Sequence, residues 1–453
     1  MGLHTSTKGL TLPIKGAPVQ KVEDTKKVTE VAILADDFPA MKPRFFAREG
    51  DTVKRGELIF TDRKLEGVRH TAPAAGTIKK INRGARRALR SVVIELSEAE
   101  LNGDGECAEF EAYAPGDLNA DQVRALLLES GAWTSFRTRP FGHTPEATSS
   151  PVAIFVNGMD TGPLAADPAP LMAEEKKALD TGLSAIAKLS EGKTYFCVAP
   201  GTEAAQGLEA DVSVEEFAGP HPAGTTGFHI HTLLPAHRER VIWTLTWQQV
   251  ISIGHLILTG KLHAERVVAL SGPGVKSPRL IRTRAGARLS QLVRDELHEG
   301  EQRIISGDVL SGAAAVEADF DYLGSRANQV SVLPEAGERK FLGWLGPGLE
   351  SFSILPTFVA KWFGKKSYDF TTDTNGSPRA MVPIGMYEEV TPFDILPTHL
   401  LRALLVGDVE MAEKLGALEL DEEDVAVFSF VCPGKTNYGT ILRANLERMS
   451  AEG

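Results

Sequence analysis

Apolar residues run unbroken from Val152 to Val156 and stop at Asn157-Gly158. A short run without alternation predicts a strand buried on both faces, as in a parallel sheet. A polar loop punctuated by Gly and Pro leads to Asp167, and PAPLMAEEKKALDTGLSAIAKL then carries a long helical pattern. Strand, loop and helix in that order put residues 157–167 at the carboxyl end of a sheet strand, where open α/β sheets bind ligands. The loop has no glycine fingerprint and no basic residue to meet a phosphate. It reads as the rim of a nucleotide-type site that has lost its nucleotide.

Other segments extend this pattern. NADQVRALLLESG predicts a helix with Asn119 or Asp121 near its start. TYFCVA, DVSVEEF and FHIHTLL read as strands, and TEAAQGLEA as a short helix. Residues 241–260 carry no Asp, Glu, Lys or Arg and are long enough to cross a bilayer. Gln248, Gln249, Ser252 and His255 interrupt them, however, while Ile242, Leu245, Gln249, Ile253 and Leu256 share a helical face. A buried helix leading into a strand is expected there. From 266 to about 316 the order strand, strand, helix, strand is that of a β-grasp. Beyond 336 the chain is loop-rich and then helical.

Residues 31–97 predict a small β domain, with Gly50-Asp51 and Arg55-Gly56 as turn dipeptides. The stretch containing Ala72, Pro73 and Gly76 resembles the second half of a biotinyl/lipoyl-like barrel. The charged hairpin TDRKLEGVRH does not put Lys64 where that family carries its modified lysine, so the barrel is expected without swinging-arm chemistry.

At 453 residues the chain exceeds one core, and about two to four domains are expected. A net charge of −11 argues against nucleic acid and against docking on anionic lipid. Cys107, Cys197 and Cys432 have no paired spacing, which points to a reducing compartment and excludes a Cys-only iron–sulfur cluster within the chain. The first residues, MGLHTSTKGL, lack the apolar core of a signal peptide. His229 and His231, at i and i+2 of the expected strand, would share a face, yet no Cys or carboxylate completes a zinc spacing. Ser271–Gly274 reads as a turn, and Asp421–Asp424 as a solvated helix start. No catalytic constellation assembles, and no catalytic, cofactor-binding or metal-ligating residue is assigned.

Long stretches carry a resemblance from end to end: GLTLPIKG, HTAPAAGTIKKINRG, NGMDTGPLAADP, FAGPHPAGTTGFHIHTLLP, LSGPGVKSPRLIRT, TTDTNGSPRAMVPIGMYEEVTPFDILPTHLLRALLVGD and CPGKTNYG. The chain is identified by them as similar to the A-subunit family of bacterial Na+-translocating NADH:quinone oxidoreductases. The resemblance implies a peripheral subunit on the cytoplasmic face of the inner membrane, within a six-subunit complex that reduces ubiquinone and pumps sodium. Flavins, iron centres and NADH would sit on other subunits, and the membrane B subunit would be the main partner. The architecture also resembles the Rnf complex C subunit and the flavoprotein subunit of complex I. Their flavin loop is rich in glycine, whereas SFRTRPFGHTP here offers only Gly142, and Cys432 stands alone where they carry a cluster motif.

The fold class expected is thus an α+β and α/β multidomain chain. Residues 1–97 hold an N-terminal segment and the biotinyl/lipoyl-like barrel, and 98–117 an acidic linker. A degenerate Rossmann-like domain spans 118–257, an SLBB-like β-grasp domain 258–335, and a helical domain without iron–sulfur ligands 336–453. Quinone candidates are Trp133, Phe136 and Phe141 as apolar walls, Arg137, Arg139 or His143 as donors, and Phe38 and Met41 closing from the barrel. The same loop read blandly fills a dead cavity with aromatics. The role would be quinone binding, or a structural or gating role beside the membrane partner. A free NAD enzyme is opposed by the missing dinucleotide fingerprint. Residues 352–364, with Phe358, Trp362 and Phe363, offer a candidate partner contact.

The purified chain is expected to carry neither stoichiometric flavin nor iron. A visible flavin band near full occupancy that survives gel filtration would refute this.

Overall fold

The computed structural model describes residues 2–114, 116–337, 346–363 and 367–452. Its centre is a sheet in the order Leu3–Thr5, Ser213–Ala218, Thr194–Val198, Ala153–Gly158, Ile242–Thr246, Arg137–Arg139. All neighbours are parallel except the last pair. Counted along the chain from Ala153, the parallel strands lie 3-2-1-4, so the topological switch point falls between Ala153–Gly158 and Ile242–Thr246.

The strand at the centre shows why its apolar run does not alternate. Ala153 and Phe155 enter one core cluster, while Ile154 and Val156 enter another. Helices Lys176–Ala187 and Trp247–Thr259 cover the second face through Leu179, Leu183, Val250 and Ile253. The first face is covered from far along the chain by helices Pro397–Val406, Glu422–Val431 and Tyr438–Glu452, through Leu400, Leu404, Phe428 and Leu442.

Helix Ala120–Ser130 begins at Asn119, whose side chain accepts from Gln122 N, and ends at Gly131 in the left-handed region. The long pattern after Asp167 breaks at Glu175 into helices Pro168–Glu174 and Lys176–Ala187. Three expectations are corrected. Residues 241–260 run in the reverse order, strand then helix: Ile242 and Leu245 are strand residues, and the helix starts where Gln249 Oε1 accepts the Thr246 N–H at 2.9 Å. FHIHTLL is not a strand but part of helix Thr226–Leu233, capped by the Thr225 side chain. TEAAQGLEA forms only a single tight turn at Glu203–Ala205 before Gly207, at φ +60°.

The barrel consists of a sheet of Glu30–Leu34, Leu89–Leu96, Gly76–Arg83 and Thr52–Val53 and another of Pro43–Phe45, Leu58–Asp62 and Arg69–Thr71. In the β-grasp sheet, Glu265–Ser271 pairs antiparallel with Arg279–Arg284 and parallel with Gln329–Pro334. The N-terminal segment is shared out: Leu3–Thr5 edges the α/β sheet, and Val19–Thr25 joins the β-grasp sheet beside Arg279–Arg284. Barrel and β-grasp also share one core, with Val31, Ile78 and Ile94 beside Val268, Leu270 and Val332. The Ser271–Gly274 stretch is a turn between strands, as expected, and Gly272 N donates to Gly16 O at 2.9 Å. Among the described residues, no helix is long and apolar enough to cross a membrane.

Helices Lys176–Ala187 and Trp247–Thr259 touch through glycine. A Cβ on Gly254 would lie 1.8 Å from Ala178 O, and one on Gly182 2.2 Å from Val250 O. Gly254→Val is therefore expected to destabilise the chain by about 1–3 kcal/mol or more, read from the urea midpoint at unchanged slope.

Candidate functional site

The switch-point crevice, where an open α/β sheet binds its ligand, is bridged by the protein's own hydrogen bonds. Asn157 Nδ2 donates to Gly224 O at 2.9 Å, and Thr161 Oγ1 accepts from Gly224 N at 2.9 Å. From the β-grasp side Gln329 Nε2 donates to Pro163 O at 3.0 Å, and from the N-terminal segment Gln20 Nε2 reaches Ala165 O at 3.2 Å. A Cβ on Gly224 would sit 2.8 Å from Thr161 N, so the two loops close on each other.

Trp133 and Phe136 are fully buried and pack on Trp243, with ring centroids 5.2 and 5.1 Å away. The Trp133 indole N–H donates to Pro145 O at 2.9 Å. Both rings belong to the core beneath the sheet, and neither lines a cavity between the domains. Phe141, at φ +79°, packs against the cluster holding the C-terminal helices, and its ring lies 6.0 Å from that of His143. Burial and the nearby Arg443 push His143 down to about 4. Arg137 is buried, lies 5.6 Å over the Phe38 ring, and donates to Gly142 O at 3.3 Å. Met41 packs against the barrel core.

Arg139 turns the other way. Its guanidinium, with a side chain only 3% exposed, contacts Asp421, Glu423 and Asp424 at 3.3–3.4 Å. Arg443 binds Glu422 at 2.6 Å, contacts Asp421, and donates to Phe141 O at 2.5 Å. Burial pushes the Asp424 carboxyl up to about 7, even with Arg139 beside it. Burial acts on Asp421 in the same direction, but there Arg139, the Glu422 hydrogen bond and Arg443 outweigh it and hold the group low. The acidic run is a helix start, with Asp421 as cap, and Glu422 and Glu423 stay partly exposed, but Asp424 is fully buried and ties the helical domain to the loop of Arg139.

A cavity of about 150 Å³ lies where barrel, α/β and β-grasp domains meet. Phe38, Ile33 and Pro73 line it from the barrel, Ala132, Gln249 and Ile253 from the α/β part, and Leu262, His263 and Leu323 from the β-grasp side. Of the candidate residues, Phe38 lines it, and Trp133 and Phe136 do not, although their neighbours Gly131, Ala132, Thr134 and Ser135 do. His70, also in the wall, stacks on Phe60 at 4.4 Å and is pushed down to about 3, by burial first and then by the charge of Arg137. Arg266 donates to Ser252 Oγ at 2.7 Å and is pushed down to about 10 by burial.

The two histidines of FHIHTLL diverge on their helix. His229 meets Ala223 O and the Phe217 ring, and burial pushes it down to about 3. His231 binds Glu419 at 2.6 Å and accepts from Asp394 N. Among the described residues no group of three potential metal ligands is found. The segment 352–364 is described up to residue 363, with Trp362 77% exposed; Gly364 and the Phe363 side chain lie outside the described residues.

Gln249, Ser252, His263 and Arg266 line this cavity without having stood out as candidates in the sequence. A signal existed: polar side chains in an uncharged apolar run demand partners when buried. Gln248 meets Val267 and Asn328, Ser252 meets Arg266, and His255 meets Glu175.

Comparison with known proteins gives a consistent result. Residues 5–97 match the family described as the NqrA N-terminal barrel-sandwich hybrid domain, 118–262 the NqrA second alpha/beta domain, and 267–317 the NQRA C-terminal domain. The A subunit of the Na(+)-translocating NADH-quinone reductase of Pasteurella multocida is 49% identical over 99% of this chain and all of its own length. Its counterparts in Cellvibrio japonicus and Glaesserella parasuis are 49% and 50% identical, over 98% and 99% of this chain and 99% and 100% of their own.

Arg139→Met leaves Asp424 buried without its cation and is expected to cost about 3–5 kcal/mol. Glu423→Gln, at a side chain 45% exposed, should cost under about 1 kcal/mol. Equal urea midpoints for the two variants would refute the lock.

Proposed function

Because the chain belongs to the A-subunit family of Na+-translocating NADH-quinone reductases, we propose that it binds the ring of a quinone in the cavity between its barrel, α/β and β-grasp domains. It does so as a peripheral subunit on the cytoplasmic face of a membrane complex. The observation that carries the reading is the cavity's size and lining. An apolar cavity of about 150 Å³ holds a single benzene-sized ring, and this one has that volume.

The polar groups suit two carbonyl oxygens. Arg266 is a fixed donor, Gln249 Nε2 makes no hydrogen bond among the described residues, and His263 presents ring nitrogens likewise without one. Apolar walls with a few convergent polar groups are what a small aromatic ligand needs. Electrons would come from NADH through flavin and iron centres on other subunits, and the membrane B subunit would be the neighbour that delivers them. The exposed Trp362 segment is a candidate contact with that neighbour.

A structural role is the second reading, favoured by the bridged switch-point crevice and the buried Arg139 lock. The two readings separate on Ala132→Phe, which adds a ring at a half-buried residue of the cavity lining. Titration of the variant with a short-chain quinone should show at least about a tenfold loss of affinity, or about 1.4 kcal/mol, with an unchanged melting temperature. Full affinity in the folded variant would leave the structural role.

A further inference from the structure

A second, smaller cavity of about 30 Å³ lies beside the first and is lined by Glu174, Glu175, Glu265, Arg282 and Trp247. Glu174 is 62% exposed at its side chain, so this cavity faces solvent. The volume is enough for a water with several polar partners. Three polar residues line both cavities and stand in the wall between them: Ser252, His263 and Arg266.

Their chemistry is unequal. The Ser252 hydroxyl is committed, donating to Gln248 O at 2.9 Å and accepting from Arg266 at 2.7 Å. Arg266 is a cation that keeps its proton at neutral pH. The His263 imidazole makes no hydrogen bond among the described residues, and its ring stacks on that of His255 at 4.2 Å and 13°. His255 is anchored in turn, with Nε2 at 2.9 Å from Glu175 Oε2. A held imidazole with free nitrogens, standing between a wet acidic space and a ring-sized apolar one, is placed to move protons.

We propose that His263 passes protons from the small solvent-facing cavity to a quinone reduced in the large one, an inference that rests on the quinone reading above. Reduction to hydroquinone takes two electrons, supplied by the reductase from NADH, and two protons. At each transfer one ring nitrogen gives its proton to the reduced carbonyl oxygen while the other takes a proton from water in the small cavity. An N–H bond breaks as an O–H bond forms, and the ring stays neutral throughout. The hydroxide left behind is neutralised by protons from solvent past Glu174 and Glu175. Tautomer exchange readies the ring for the second proton. Burial, the charge of His255 and that of Arg266 push His263 down to about 3, so the ring does not store a proton but only relays one.

The test uses the whole reductase complex carrying His263→Gln, with NADH as reductant and saturating short-chain quinone. Quinol formation at saturating quinone is expected to slow by about a hundredfold, with a larger solvent deuterium effect and partial recovery on adding imidazole. Glu175→Gln should slow the reaction in the same direction, and it stands in should His263→Gln fail to assemble. An unchanged rate at saturating quinone, or a slowed rate indifferent to imidazole and deuterium, overturns the relay. If Ala132→Phe abolishes binding while His263→Gln runs at full rate, the cavity reading stands and the relay alone fails. If Ala132→Phe binds and reduces quinone normally, the cavity reading itself is lost.

Discussion

A parallel strand must be covered on both faces, and the rest of this molecule follows from how Ala153–Gly158 meets that demand. Helices on one side come from the same α/β unit, but the other side is closed by helices more than two hundred residues later. Such a long-range cover is specified by apolar area and fixed in position by something directional. The directional element is the cluster of Arg139 and Arg443 with Asp421–Asp424, at whose centre Arg139 and Asp424 are buried. A Cβ on Gly227 would lie 2.2 Å from Asp424 Oδ2, so helix Thr226–Leu233 is also packed directly against this cluster.

With that cover in place, the loop at the switch point is tied down by Gly224, Gln329 and Gln20 from three other parts of the chain. The space that remains lies one step aside, between helix Trp247–Thr259 and the two domains packed beside it. The polar residues of that helix thereby acquire their roles. Gln248 imitates a strand edge by bonding both ways with Val267, and Ser252 receives the guanidinium of Arg266. The same helix that closes the core on one side furnishes a cavity wall on the other.

Local chemistry was legible wherever it is decided within a few residues. The buried strand read at 152–156 and found at Ala153–Gly158, the Asn119 cap and the turn at Ser271–Gly274 could be read directly, because burial on two faces, capping and glycine turns leave short-range marks. FHIHTLL misled because its alternation is also compatible with a helix, and the Thr225 cap with burial against Phe217 decided for the helix. The segment 241–260 misled for a related reason: uniform apolarity erases the period that separates strand from helix.

Contiguous residues carried the buried central strand, the helix cap at Asn119, the lack of phosphate-binding equipment in both loops, and the family. They did not carry the class of every element: FHIHTLL and TEAAQGLEA mislead. Only the tertiary structure decided where each candidate side chain went. Trp133 and Phe136 fill the core and Arg139 pairs with residues nearly three hundred positions away, while Phe38 alone of the candidates reaches the cavity. The cavity and its two-sided wall come from three domains meeting, and no local pattern encodes which faces of separate domains will touch. That choice is made by summed apolar area and by the buried charges that must find partners across it.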